Sequence, residues 1–227
     1  MISLLSCLEP TRPLSPTTIV KAENFATEFI IGILALLAIV GITLLVGWVL
    51  NRMMITKGFK TNLTVNLILS AAIPIALFLR YGASLELVQG VFLMFVLMYA
   101  TWSDLTSHTV DDYVPILVFA LGVASMATVG LSSMLFGAFA VFVPQIIMAF
   151  IPKCKPLGGA DLKLSTALAF LLGWERGIVA FILGLLISVV YMAIYNKVKK
   201  VKKRDANEKA FALVPFLSIA AMVLFMF

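Results

Sequence analysis

Long uncharged apolar runs set the pattern of this chain. Residues 29–51 lie between Glu28 and Arg52 without a charge, 61–79 between Lys60 and Arg80, and 87–103 between Glu86 and Asp104. The next run, 113–152, is 40 residues long, and Gly130-Leu131-Ser132-Ser133 supplies a turn at its middle. A membrane-spanning helix takes about 20 apolar residues, so this run predicts two helices. Residues 164–174 give only 11, 177–196 give 20 and 210–227 give 18. An open sheet edge cannot face lipid, so every run is read as helix. The prediction is an all-α, polytopic membrane helix bundle with about eight transmembrane helices.

Composition supports that pattern. The chain has 227 residues, 62% apolar and 12% charged, against about 45–50% and about 25% for soluble domains. A water-soluble globule, a disordered chain and a disulfide-stapled secreted module are excluded. Residues 1–28, with Pro10, Pro13 and Pro16, read as a loose N-terminal segment, and 29–227 as a single transmembrane bundle. Met1 to Cys7 lacks the basic start and the apolar length of a signal peptide, so the first span is expected to stay in the mature protein.

Charge adds the orientation. With the N-terminus outside, the inner segments are 51–62, 103–113, 152–163 and 196–210. They hold 13 of the 17 Lys and Arg residues, and the outer segments hold Arg12, Lys21, Arg80 and Arg176. The positive-inside rule then favours N-out and C-out. Keeping the short run 164–174 as a span is what puts the most basic loop inside. The net charge of +6 is therefore a topology signal, and no nucleic-acid partner is expected, since no basic patch is interleaved with aromatics. Cys7 and Cys154 are far apart and in no CxxC spacing, and His108 is the single histidine, so no metal site and no cofactor are expected.

This topology sorts the acids. Six of the eleven fall on the inner side. Asp205 and Glu208 sit among seven bases and read as solvated partners. Asp104 closes the third span, Asp111 and Asp112 open the fourth, and Asp161 opens the shortest. From Gly158 to Trp174 that helix reaches only about 25 Å, against about 30 Å of hydrocarbon. Either the helix is buried in the bundle, or the membrane thins, or Asp161 lies below the headgroups. Each option leaves Asp161 partly desolvated, where a carboxylate needs a partner or a function. Gly158, Gly159 and Ala160 bring no bulk, so a substrate backbone has room to approach.

Asp104 and Asp161 are separated by one outward and one returning helix, which brings both to the inner face. Two aspartates at one level suit acid–base hydrolysis without a metal. One ionised carboxylate takes a proton from water, and the other, protonated, donates to the peptide carbonyl. Two other readings stay open on topology alone: a proton or ion pathway, and a structural role such as Asp161 capping its helix.

The stretch Gly158-Gly159-Ala160-Asp161-Leu162-Lys163-Leu164 resembles the Gly-x-Gly-Asp signature of membrane aspartic peptidases, in the Gly-Gly-x-Asp-x-Lys-Leu form of type IV prepilin peptidases. In that family the other catalytic Asp ends a membrane helix some 60 residues earlier, and Asp104 stands there. Val110-Asp111-Asp112 stands where Ile-Pro-Asn is usual. The resemblance covers about residues 95–190 and implies a diaspartyl peptidase core. It implies cleavage of the short basic leader of prepilins or pseudopilins at the cytoplasmic face of the inner membrane, with Asp104 and Asp161 as the catalytic pair. The partners implied are the prepilin or pseudopilin substrate and the lipid bilayer. An archaellin-type leader peptidase uses the same chemistry, and a proton-coupled transporter subunit is the non-enzymatic alternative.

Three departures bear on that resemblance. Ala160 replaces the second Gly, which keeps the space but disfavours positive φ. Asp111 replaces the usual Pro; the spacing to the helix end still favours Asp104 over Asp111 or Asp112. The loop from Asn51 to Asn62 has no cysteine, so the zinc site that accompanies N-methylation in many relatives cannot form there. Methylation of the new N-terminus is left undecided. Around the pair, Lys163 either contacts Asp161 or substrate, or snorkels to the headgroups. Asp111 and Asp112 either receive the basic leader or simply favour a helix start. Pro144 and Gln145 read as a kink and an interhelical hydrogen bond. Trp102, Tyr113 and Trp174 are expected at the membrane interfaces.

Overall fold

The computed structural model describes residues 16–150, 158–201 and 212–227, and all regular structure in them is helical. In chain order the helices are α1 Pro16–Thr56, α2 Leu63–Tyr81, α3 Leu85–Ser107, α4 Tyr113–Ala124, α5 Met126–Val129, α6 Leu131–Phe150, α7 Gly159–Val201 and α8 Val214–Met226. The all-α, multi-helix membrane reading holds, because the described part of each uncharged run lies almost wholly on helix. The 40-residue run becomes α4, α5 and α6, with Gly130 at φ +85° just before α6. Two runs share α7, which is broken at Gly173 (φ 79°, ψ −173°). That left-handed φ suits only glycine, so the break is written into the sequence.

Length separates the expected eight segments into two groups. Stretches of α1, α2, α3, α6 and α7 are long and apolar enough to cross a membrane, five helices in all among the described residues. The apolar helices α4 and α8 have 12 and 13 residues, which reach about 18–20 Å and fall short of the hydrocarbon thickness. α1 begins at Pro16, so residues 16–28 of the segment expected to be loose are helical; residues 1–15 lie outside the described set.

The chain divides into two compact units, 1–39 and 40–227. In the first, the described backbone is helix, and Phe29, Ile31, Leu34 and Leu37 are exposed, as suits a lipid-facing surface. The second unit holds the remaining helices. Its helix ends gather at two levels. At one, the Lys57 ammonium donates to the Tyr99 hydroxyl, and Lys163 pairs with Asp112. At the other, the Tyr81 hydroxyl donates to the Phe225 carbonyl at 2.6 Å, and the Trp174 backbone N–H donates to Ser133 Oγ. Residues 57–62, 108–112, 158–163 and 213–214 thus share the first end, as the charge pattern predicts. Residues 151–157 and 202–211 of the expected inner loops lie outside the described set.

The short helix ahead of Gly173 answers the question its length raises. Leu164, Ser165, Ala167, Leu168, Ala169, Phe170, Leu171 and Leu172 are all buried, so this helix is enclosed by protein. Association in lipid relies on close packing and interhelical hydrogen bonds. Gly137 supplies the first: a Cβ there would lie 2.7 Å from the Gly173 backbone and 2.9 Å from the Ala169 carbonyl oxygen. Gln145 supplies the second, as expected. Its amide exchanges hydrogen bonds with Ser165, at 2.8 and 3.0 Å. A further polar chain ties α1, α2 and α3. Asn66 donates to Asn51 Oδ1 at 2.8 Å, and the Trp102 indole donates to Asn66 Oδ1 at 2.6 Å. Trp102 therefore spends its N–H inside the bundle, because the otherwise unsatisfied Asn66 carbonyl lies there, while Tyr113 and Trp174 stay exposed.

Candidate active site

Asp104 lies in the last turn of α3. The helix closes at His108, which adopts the left-handed conformation (φ 53°) and returns its N–H to the Asp104 carbonyl at 3.0 Å. Ser103 and Ser107 both donate to the Thr109 carbonyl, which pins the turn that follows. The Asp104 side chain is 5% exposed. Its Oδ2 accepts the Val214 N–H at 3.0 Å. Val214 is the first residue of α8, so Asp104 takes one of the helix-start donors that have no partner within their own helix. The favourable end of the α8 dipole faces the carboxylate.

Asp161 is placed differently. The Leu162 N–H bonds to the Gly158 carbonyl at 3.1 Å, so Gly158 caps α7 and Asp161 sits three residues inside. Asp161 is thus not itself the cap. Its side chain is half-buried and, among the described residues, accepts no hydrogen bond and pairs with no cation. The Asp104 carboxylate lies within Coulombic reach of it. A Cβ on Gly158 would come within 3.2 Å of Asp161 Oδ2, whereas a Cβ on Gly159 would meet nothing within 4 Å. Gly158 therefore makes room for the carboxylate, and Gly159 faces open space. Ala160 is helical, so no positive φ is required where the second Gly of the signature is missing.

The remaining residues singled out in the sequence sit around this pair. Lys163 reaches Asp112 at 2.6 Å and so ties the start of α7 to the α3–α4 loop, with both side chains exposed. Asp111 accepts the Tyr99 hydroxyl at 2.7 Å. That hydrogen bond holds its carboxyl below the usual carboxylate range, with lesser help from Tyr113 and the Lys57 charge, against partial burial. Lys57 also lies over the Tyr99 and Tyr113 rings, at 5.2 and 5.9 Å. Both acids of the loop thus have partners. The Tyr99–Lys57 cluster and the Val214 donor escaped the sequence reading. Pro215 signals the start of α8, but nothing in the sequence says which carboxylate receives its first N–H.

Two carboxyls from separate helices thus lie within Coulombic reach of each other, beside a glycine that faces open space, and acid–base chemistry on a water needs two such groups. Among the described residues no cluster of three or more His, Cys, Asp or Glu side chains is arranged to hold a metal ion.

Residues 91–193 match the type IV leader peptidase family. The matched stretch runs from α3 through most of α7 and contains both Asp104 and Asp161. It bears out the resemblance read over 95–190. The match supports a type IV leader peptidase-like function, and the apolar helices agree with a multi-pass membrane protein. No curated protein and no solved structure matches the chain.

Proposed function

We propose that this protein is a membrane aspartic endopeptidase that removes the short basic leader of type IV prepilins or pseudopilins. The observation that supports the proposal is that Asp104 and Asp161, from helices far apart in sequence, lie within Coulombic reach of each other inside the stretch matched to the leader peptidase family. The ionised member of the pair takes a proton from water as the water oxygen attacks the scissile carbonyl. The protonated member gives its proton to the carbonyl oxygen. The tetrahedral species collapses, its hydroxyl proton returns to the second carboxyl, and the first passes its proton to the departing amine. One water is consumed, and the pair ends as it began. Gly159 leaves space for the extended substrate, and the positive-inside pattern supports a cytoplasmic orientation for this end.

The test is to incubate the purified full chain with prepilins, pseudopilins and archaellins and to read the new N-terminus by mass spectrometry. The expected result is a prepilin cut at the end of its leader, with the rate unchanged by chelators or by serine and cysteine reagents. Preference for archaellins would reassign the filament while keeping the chemistry. Uncut substrate throughout, with proton movement driven by a solute instead, would favour a transporter subunit. One extra methylene on the product would show that methylation proceeds without a zinc site in the 51–62 loop.

A further inference from the structure

The second feature lies at the opposite end of the helices. A cavity of about 470 Å³ opens between the end of α2, the start of α3, the α5–α6 junction and the residues past the Gly173 break. Its wall includes Arg80, Glu86, Gln89, Trp174, Glu175 and Arg176. Its volume lies in the usual range for small-ligand sites, about 300–1,000 Å³.

Two observations mark it as a binding site. Gln89 is only 8% exposed and lines the cavity, and among the described residues its amide has no hydrogen-bond partner. The side chain is held in the wall while its amide opens to the cavity, so a ligand there can take its hydrogen bonds. In addition, two guanidinium groups and two carboxylates share the wall, and among the described residues none of the four is in an ion pair.

We propose that this cavity binds a zwitterionic phosphate–ammonium headgroup of the kind carried by ethanolamine phospholipids. Arg80 and Arg176 match phosphate oxygens, which guanidinium recognises in a fork. Glu86 and Glu175 accept the ammonium N–H groups, and Gln89 offers both a donor and an acceptor. A simple anion would face two carboxylates, and a quaternary ammonium has no N–H to give. The cavity lies among helix ends beside the half-exposed Trp174, the level at which headgroups meet a membrane protein. It shares no residue with the aspartate end, so the proposal stands apart from the peptidase reading.

Native mass spectrometry of the detergent-purified full chain tests it. Equimolar ethanolamine, choline and glycerol phospholipids are offered, with glycerophosphoethanolamine as a soluble competitor. The ethanolamine lipid is expected to be retained about tenfold better than the other two. The exposed substitutions Arg176→Gln and Glu175→Gln, and the buried Gln89→Leu, each lower that retention severalfold. Weak competition by the soluble ester assigns the site to bilayer lipid, and full competition assigns it to a soluble zwitterion of the same chemistry. Equal retention of the glycerol or choline lipid overturns the proposal. So does wild-type retention by both exposed variants, whose positions outside the core leave folding intact.

Discussion

Asp104 and Asp161 belong to the same end of the molecule but are held in opposite ways. Asp104 ends a helix, is almost fully buried and is fixed by the Val214 N–H. Asp161 lies in the first turn of its helix, is half-buried, and among the described residues has no hydrogen-bond partner. One carboxyl is anchored to a neighbouring helix start, and the other lies beside Gly158, where an added Cβ would come within 3.2 Å of its Oδ2. Under the proposed function, one carboxyl is held by a backbone donor while the other keeps its oxygens free for water or substrate.

Removing either member is the most drastic way to break this asymmetry. Asp104→Asn and Asp161→Asn are each expected to lower leader cleavage by roughly 10²–10⁴-fold, the usual worth of a positioned acid or base. The double variant should be no worse than either single one, because the two act as a unit. Product formation, measured at matched levels of inserted protein, checks this.

Crowding Asp161 comes next. Gly158→Ala places a methyl 3.2 Å from Asp161 Oδ2 and must push it by a few tenths of an ångström. A fall in kcat of about tenfold is expected, since small misplacements at a reacting centre are costly. Gly159→Ala meets no neighbour, so its Tm should match wild type and its effect should appear in KM alone. Steady-state kinetics and thermal melts on both variants separate the two glycines.

The loop between the acids gives smaller effects. The Tyr99 hydroxyl holds the Asp111 carboxyl below its ordinary value. Its folded-state pKa is therefore below the unfolded one, and its contribution to stability is present above the unfolded value and lost as pH falls through the folded value. Asp111→Asn should destabilise slightly at pH 7, and the difference should vanish in acid, as melts across pH would show. Smallest is Lys163→Met. The Lys163–Asp112 pair is exposed on both sides, and such pairs contribute about 0.2–1 kcal/mol. Cleavage should change less than about threefold, and added salt should erase the difference.

Much of the fold was legible because membrane solvent leaves a coarse code. Charge-free length marks the helices, and basic residues mark the ends, so residues 57–62, 108–112 and 158–163 could be grouped before any coordinates. Gly130 announced its turn. Gly173 is marked less directly: Glu175 and Arg176 divide the runs 164–174 and 177–196, and the reversal of φ falls just ahead of them. The difference at α1 is similar: Pro16 opens the helix, and prolines in the first turn are compatible with helix while looking like loop.

The candidate site was legible in part for the same reason. Helix arithmetic brings positions 104 and 161 to one end, and the small residues before Asp161 indicate room. Lys163 could not be assigned, since a lysine on a helix start reaches many acids, and its partner turned out to be Asp112. The Val214 donor is a backbone group 110 residues from Asp104 and carries no side-chain signature. The network of Asn51, Asn66 and Trp102 was hidden because each residue alone reads as a helix-end or interfacial side chain.

The most direct test of the central claim is the pH dependence of leader cleavage by the wild-type protein. A carboxyl pair that works with one proton between its members gives a bell-shaped profile, with two limbs that belong to the pair. A rate that stays flat from acid to neutral pH, on substrate whose own cleavage site does not titrate, would contradict it.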